Sequence, residues 1–492
     1  MTTAAAETDA QDDIDAESPL ARLTDEQIEQ LGREFDAIHD QVYSELGDRD
    51  RRYITSMIEM HRRLAVMSRV MLLGSRYWPA LIGGTAANSA AKILENMEIG
   101  HNVLHGQWDW MNDPQIHSST WDWDTASTSE AWKHSHNYVH HTYTNIRGKD
   151  KDLGYEIMRI DPHQRWNPVY LFQPFYNVLL ALFFEWGVAA HDLDLEAIRK
   201  GEKSKSELSE QLKGMGQKAR GQVVKDYIAW PLLSGLAMAA VDTGLALLGK
   251  EPTTSRSRKR LSAVKRRLRG VRKSKSRLRA EHLAQVAWGA GRKGYVATLK
   301  ADVVANMVRN VWSYAIIFCG HFPDQTYTFS QKEAEDETRG GWYVRQLAGA
   351  ANIEGGPIFH IASGNLGFQV EHHLFPDMPS TRYAEIAPQV KGICEKYELP
   401  YNTGPFLKQL GMVQRTILRL ALPGGKVRPK PGPYKGGDGI YPAVESNGSK
   451  PSGEDGSGPE QKSDGVRVEV PARGGEKSAS GEDGAGSENG AG

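Results

Sequence analysis

From residue 24 the apolar positions Ile28, Leu31, Phe35, Ile38 and Val42 recur at three- and four-residue steps, the period of a helix with one buried face. Thr24-Asp-Glu-Gln27 precedes them as a capping-box pattern, in which the two side chains satisfy free N–H groups of the first turn. The spacing predicts an amphipathic helix that packs or presents an interaction surface and carries no chemistry. Residues 1–23 are polar and acidic, are predicted to be disordered, and contain no apolar core of a signal peptide.

The pattern changes at Leu64. From there to Met97 it is largely apolar, with Arg62, Arg63, Arg69 and Arg76 on the N-terminal side. Crossing a hydrocarbon layer of ~30 Å takes ~20 helical residues. The stretch therefore predicts one crossing at 77–97 and a shorter or tilted helix before it, turned near Trp78-Pro79. The arginines predict a cytoplasmic N-terminal flank, and whether the shorter helix also crosses is left open. Three more apolar segments follow: 168–190, interrupted by Gln173 and Glu185; 226–248, with Tyr227 and Trp230 at one end; and 303–321, ending in His321.

Residues 322–422 mix polar and apolar positions. Pro376 and Pro379 break the chain there, and helices are predicted from Tyr383 to about Tyr397 and over Phe406–Leu420. The last 70 residues, 423–492, carry 18 of the 50 glycines among Ser, Glu, Asp and Pro, a composition that buries too little to fold. These inequalities explain a mean hydropathy of -0.52, which on its face suggests a soluble protein. Three regions are expected: 1–63, a polar extension with one amphipathic helix; 64–422, a membrane domain with a basic insertion at about 250–300; and 423–492, a disordered tail. The net charge of -1 gives no global pull toward nucleic acid. The basic run at 256–279, with 13 Lys or Arg, is expected to be solvated or to touch lipid headgroups. Two cysteines, Cys319 and Cys394, make neither a disulfide framework nor a four-thiolate site, which points to a reducing compartment.

Histidine is the unusual feature. His101 and His105 lie four apart, which on a helix places them on one face. His136, His140 and His141 repeat that step with an adjacent residue, and His372-His373 repeats the doublet. Neutral imidazole suits Zn, Cu, Fe or Ni. Seven or eight imidazoles exceed what one tetrahedral ion uses, so the number argues for two ions. The Glu-x-x-His pattern of soluble di-iron bundles is missing, as are a phosphate-binding Gly-rich loop and a nucleophile elbow.

Gly-His101-Asn-Val-Leu-His105-Gly, His136-Asn-Tyr-Val-His140-His141 and Gln369-Val-Glu-His372-His373-Leu-Phe-Pro resemble, in order, the three histidine boxes of the membrane fatty acid desaturases. The likeness spans residues 50–415. Trp108-Asp-Trp-Met-Asn-Asp-Pro114 and Gly-His321-Phe-Pro-Asp324 are similar to the bacterial acyl-CoA desaturase branch. The resemblance implies an all-α integral membrane bundle of about four transmembrane helices plus interfacial helices, with a cytoplasmic cap. It implies two Fe ions held by His101, His105, His136, His140, His141, His372 and His373, with His321 as an eighth ligand. It also implies O2 as co-substrate and an acyl chain, carried as a CoA thioester, that gains a cis double bond. Gln369 stands where many relatives have His, and its part in binding iron is left open. A bacterial inner membrane with a cytoplasmic site follows from the same likeness. A di-iron hydroxylase using the same boxes is the first alternative, and a non-catalytic zinc-binding membrane protein the second. The chain has no haem-binding His-Pro-Gly-Gly, Rossmann fingerprint or iron–sulfur cysteine set, so a separate ferredoxin-like or flavin reductase is implied.

If all the histidines share one face, the crossings between 141 and 369 are even in number. The expected pairing is 226–248 with 303–321 as a hairpin, leaving 168–190 as an interfacial helix. That places the basic run outside, against the positive-inside tendency, which long loops obey weakly. The alternative pairs 168–190 with 226–248. His134 is off the box spacing and is expected to be solvated or an outer partner of the site. His117 suits support of the site or a structural hydrogen bond. His39, His61, His163 and His282 are expected at the surface and His360 to be packed. Trp108, Trp110, Trp121, Trp123 and Trp132 suit either an acyl tunnel or interfacial anchoring. Glu98, Asp109, Asp113 and Glu371 are candidate partners for ligand N–H groups.

Overall fold

The computed structural model describes residues 18–250, 275–425, 430 and 432–434. The expectations of disorder for 1–17 and 435–492, and most of the 256–279 basic run, fall outside the described residues. Where the expected disordered ends are described, they are ordered. Pro19–Arg22 forms a turn of 3-10 helix. At the other end Tyr434 is buried, donates its N–H to Leu399 O at 2.9 Å and packs on Tyr401.

The amphipathic helix is Asp25–Ser44, closed by a reciprocal Thr24–Gln27 capping box. Its Leu31, Phe35, Ile38 and Val42 are buried in one core with Tyr343, Val344, Phe375, Tyr383 and Val390. The helix is thus built into the cap. Asp48–Leu73 and Trp78–Ile93 form a hairpin that turns at Gly74–Tyr77. The expected segment 168–190 is two short helices, Gln173–Leu182 and Phe184–His191, broken at Phe183.

The segment expected at 303–321 is the end of a far longer helix, Lys275–His321, of 47 residues. Its N-terminal half lies in the expected basic insertion, where Arg and Lys hide the apolar period although they are good helix formers. The helix runs antiparallel to Trp230–Leu247 along a seam of small residues. A Cβ on Gly235 would come within 2.8 Å of Gly291 O, so only glycine allows this approach. The partner of 226–248 is thus mainly the stretch before the expected one, through Gly235–Gly291, Ser234–Thr298 and Asp226–Asn306. The expected stretch 303–321 packs instead on the 173–191 helices, through Tyr314–Asn177 and Arg309–Glu185. Among the described residues, Lys205–Leu247 and Arg279–His321 are long and apolar enough to cross a membrane.

Between these helices lies a buried ionic cluster. Arg69 bonds Asp302 at 2.5 Å and Asp226 at 3.1 Å, and Lys92 bonds Asp226 at 2.7 Å. Asn88 donates to Asp302 at 2.9 Å. Each charge faces an opposite one, as burial demands.

The cap is helical apart from one short parallel pair of strands, Asn352–Glu354 with Thr403–Pro405, which departs from an all-α reading. It brings the helices Arg339–Gly349, Gln369–Leu374, Tyr383–Lys396 and Phe406–Leu420 over the end of the long helix.

Candidate metal centre

Four stretches distant in sequence supply the histidines. His101 ends a π-helix, Leu94–His101, that continues the Trp78–Ile93 helix, and His105 lies one turn on. His136 and His140 lie on a second π-helix, Lys133–His140, with His141 next. The wider π turn is a common local device at functional sites, and no residue pattern announced it. His321 ends the long helix, and His372 and His373 lie on Gln369–Leu374.

The structure brings all eight together in two groups. His101, His105, His136 and His372 place one ring nitrogen each within 4.8 Å of one another, and so do His140, His321 and His373. His141 lies between them, its ring 4.8 Å from His105 and 4.6 Å from His373. Gln369 borders the second group, with Nε2 3.1 Å from His321 Nε2. A Cβ on Gly320 would sit 2.8 Å from that Gln369 side chain, so the glycine before His321 makes room for the amide.

In five of the eight rings Nδ1 is held by a partner, and in five Nε2 is left bare; His321 is the reverse case, with Nε2 beside Gln369 and Nδ1 bare. Nδ1 of His140 meets both oxygens of Asp150 at 3.1 Å, and that of His136 meets Asp152 at 3.3 Å. Nδ1 of His372 meets Tyr383 OH at 3.2 Å, that of His373 meets Gln346 Oε1 at 2.9 Å, and that of His101 meets Asn102 Oδ1 at 3.0 Å. By contrast Nε2 of His105, His136, His140, His141 and His372 is buried with no partner, and so are His321 Nδ1, His141 Nδ1 and Gln369 Oε1. A buried polar atom left unpaired costs about 1–3 kcal/mol. So many in one place, nearly all of them imidazole nitrogens, fit a cation that accepts their lone pairs. The arrangement of metal-facing nitrogen with the far N–H held by a carboxylate, amide or hydroxyl orients a ligand and raises its basicity.

Electrostatics keeps most of these rings neutral, the form that binds metal. Burial pushes His101 down to about 3, with the neighbouring His136 adding to it. Burial, then the adjacent imidazoles, holds His105, His141, His372 and His373 well below the usual histidine range. His140 differs: burial pulls it down, but Asp150 and Asp152 outweigh that and raise it.

Several expected partners lie elsewhere. Glu98 bonds Tyr53, Asn365 and Ser380, and Glu371 bonds Asn352 and Tyr401, so neither holds a ligand ring. Asp109 serves Ser118, and Asp113 caps the local turn at Gln115. The residues that do hold rings, Asp150, Asp152, Gln346, Tyr383 and Asn102, were not singled out from sequence. The one available signal was the acidic pair in Lys149-Asp-Lys-Asp152 after the second box. His134 is exposed and stacks on Tyr138, His117 bonds Ser119, and His360 stacks on Phe368.

A cavity of about 70 Å3 reaches His101, His136 and His321, walled by Trp123, Trp132 and Ile317. Trp108 is not part of it; it is fully buried against Ile54, Ile99 and Val103.

The family model described as fatty acid desaturase matches residues 76–248 and 218–405. The chain is 42% identical over 404 residues, 82% of each chain, to the NADPH-dependent stearoyl-CoA 9-desaturase of Mycobacterium tuberculosis. It is 23% identical over 67% of its length to the sn-1 linoleoyl-lipid 6-desaturase of Synechocystis, 77% of which is covered. It is 36% identical over 124 residues, 25% of this chain and 26% of the relative, to human fatty acid desaturase 3. No solved structure matches the chain.

Proposed function

Because the chain belongs to the fatty acid desaturase family, we propose that it introduces a cis double bond into a long-chain acyl-CoA at a centre of two iron ions. As a member of that family it is an oxidoreductase that acts on fatty acyl chains. The observation that carries the two-iron reading is the convergence of eight histidines, seven of them in two groups with His141 between, six of which have bare, buried ring nitrogens. His101, His105, His136 and His372 would hold one ion and His140, His321 and His373 the other, with His141 within reach of both and Gln369 beside the second. When bound, the irons supply the redox chemistry by which O2 removes two hydrogens from the chain.

The protein's own residues do the rest. Asp150, Asp152, Gln346 and Tyr383 fix the ligand rings, seven of which are buried. Trp123, Trp132 and Ile317 present apolar surface beside the histidines, which suits a hydrocarbon chain. The present cavity is well below the ~300–1,000 Å3 of ligand-filled pockets. The lining side chains therefore move when a chain binds. The name of the mycobacterial relative supports stearoyl-CoA as substrate and carbon 9 as the position, and it supports NADPH as the ultimate electron source. A separate reductase, ferredoxin-like or flavin-dependent, delivers those electrons. The site faces the cytoplasm of a bacterial inner membrane, with the Asp48–Leu73 and Trp78–Ile93 hairpin completing four crossings.

Expression in a host that lacks the double bond, with fatty acids profiled by gas chromatography and iron measured on the purified protein, tests this reading. A new monounsaturated acid and two irons per chain are expected. Hydroxylated acid would turn the assignment to a hydroxylase, and zinc in place of iron would overturn catalysis.

A further inference from the structure

One carboxylate touches a histidine of each group. Asp152 Oδ2 lies 3.3 Å from Nδ1 of His136, in the first group, and 3.7 Å from Nδ1 of His140, in the second. Its other oxygen, Oδ1, meets Nε2 of His191 at 2.8 Å. His191 ends the Phe184–His191 helix with its side chain only 6% exposed. Resting on the two-iron reading above, we propose that Asp152 is a positioning residue that couples the two metal groups, and that His191 holds it in place.

The local geometry makes a single carboxylate sufficient. His136 and His140 are four residues apart on the π-helix, and their rings stack at 5.1 Å with planes only 16° apart. Their Nδ1 edges therefore face one direction, and Asp152 meets both from there. Its backbone N–H is tied to Asp150 Oδ1 at 3.0 Å, and its free oxygen is tied to His191. The carboxylate cannot turn away from one ring without losing His191. The brace is also asymmetric. His140 has a second carboxylate, Asp150, at 3.1 Å, whereas the carboxylate that accepts from His136 Nδ1–H is Asp152.

That asymmetry gives a signature that general damage to the fold does not reproduce. The full chain carrying Asp152→Asn, Asp150→Asn, His191→Gln or His191→Leu is purified, loaded with 57Fe for Mössbauer spectroscopy, and titrated as apoprotein with Co2+. Asp152→Asn is expected to weaken the His136 group by about 10–100-fold and to shift the signals of both irons. Asp150→Asn should alter only the His140 group. His191→Gln, which keeps a donor, should stay near wild type, and His191→Leu should follow Asp152→Asn. Wild-type spectra and affinities in Asp152→Asn overturn the coupling, as does an Asp150→Asn indistinguishable from it. A third metal equivalent lost in Asp152→Asn would make Asp152 a ligand and overturn the positioning role. If Asp152→Asn fails to fold by gel filtration, the His191 pair decides: equal behaviour of Gln and Leu overturns the proposal. A wild-type protein with a single metal overturns the two-iron reading itself, whereas two metals with a silent Asp152→Asn overturn the coupling alone.

Discussion

Two polar clusters are buried in this protein, and they treat their polar atoms in opposite ways. In the cluster of Arg69, Lys92, Asp226 and Asp302, charges of opposite sign meet one another at 2.5–3.1 Å, leaving a single carboxylate oxygen, Asp302 Oδ2, without a partner. In the histidine cluster the bare atoms are the rule, and they point inward at each other. A cluster that satisfies itself holds helices in register. A cluster that leaves its lone pairs bare under full burial is shaped for something that is not protein. Burial alone does not separate the two; the direction of the unmet valences does.

The largest expected effect comes from removing a bare valence. His373→Ala takes a ring from the second group and frees Gln346, which holds its Nδ1. Iron and desaturation should both be lost while the chain stays folded, read by metal analysis, product profile and gel filtration. Full activity in this variant would remove the histidine cluster from the chemistry. His140→Ala should behave in the same way.

The opposite response is expected in the ionic cluster. Arg69→Met leaves Asp302 and one side of Asp226 uncompensated, a loss of about 3–5 kcal/mol for a buried pair broken on one side. The midpoint of thermal unfolding should fall steeply, while folded chains keep their full iron content. Replacing both partners, Arg69→Met with Asp302→Leu, should recover most of that stability, because an apolar pair carries no desolvation penalty. Iron lost at unchanged stability would mean that the two clusters are not separate in function.

Gln369 tests the border of the distinction, since its Oε1 is bare like the histidine nitrogens. Gln369→Ala should keep both irons and lower activity by about 10–100-fold, the scale of an outer partner. If instead it matches His321→Ala in metal loss, the amide is a ligand and belongs wholly to the centre.

The seven box histidines that the structure gathers stand out in sequence because four-residue steps and doublets survive any surroundings, whereas His321, a single residue, is placed with them by resemblance alone. The partners of these rings do not stand out. Gln346 and Tyr383 come from cap helices far along the chain, and Asp150 and Asp152 follow a turn with no periodicity to mark them. Glu98 and Glu371 look better placed on paper, each close to a box, yet each points to the back of its helix and bonds cap residues. The long helix was half hidden for a different reason. Its first turns are rich in Arg and Lys, so the apolar signal used to find crossings began only near residue 303, whereas hydrogen bonding continued back to Lys275. The ionic cluster was invisible because its members lie singly on separate segments.

The smallest effect concerns a histidine outside the centre, where the contrast reappears within one residue type. His39 places Nε2 3.3 Å from Asp377 and Nδ1 3.7 Å from Asp40, and its ring stacks on Tyr43. Its valences are met by acids, and the hydrogen bond to Asp377 raises its pKa despite partial burial. A group whose folded pKa lies above its unfolded value stabilises fully below the unfolded value, about 6.5 for histidine. That contribution is lost as pH rises through the higher folded value. The pair joins the Asp25–Ser44 helix to the turn after the third box, so the loss should loosen the cap without touching iron. With a quarter of the His39 side chain exposed, solvent screening limits the effect to about 1 kcal/mol or less. Unfolding midpoints of wild type and His39→Gln, compared at pH 6 and pH 9, should differ more at pH 6. A gap that instead widens at pH 9 would mean that His39 is neutral in the folded chain, and that acid contacts do not set it apart from the histidines of the centre.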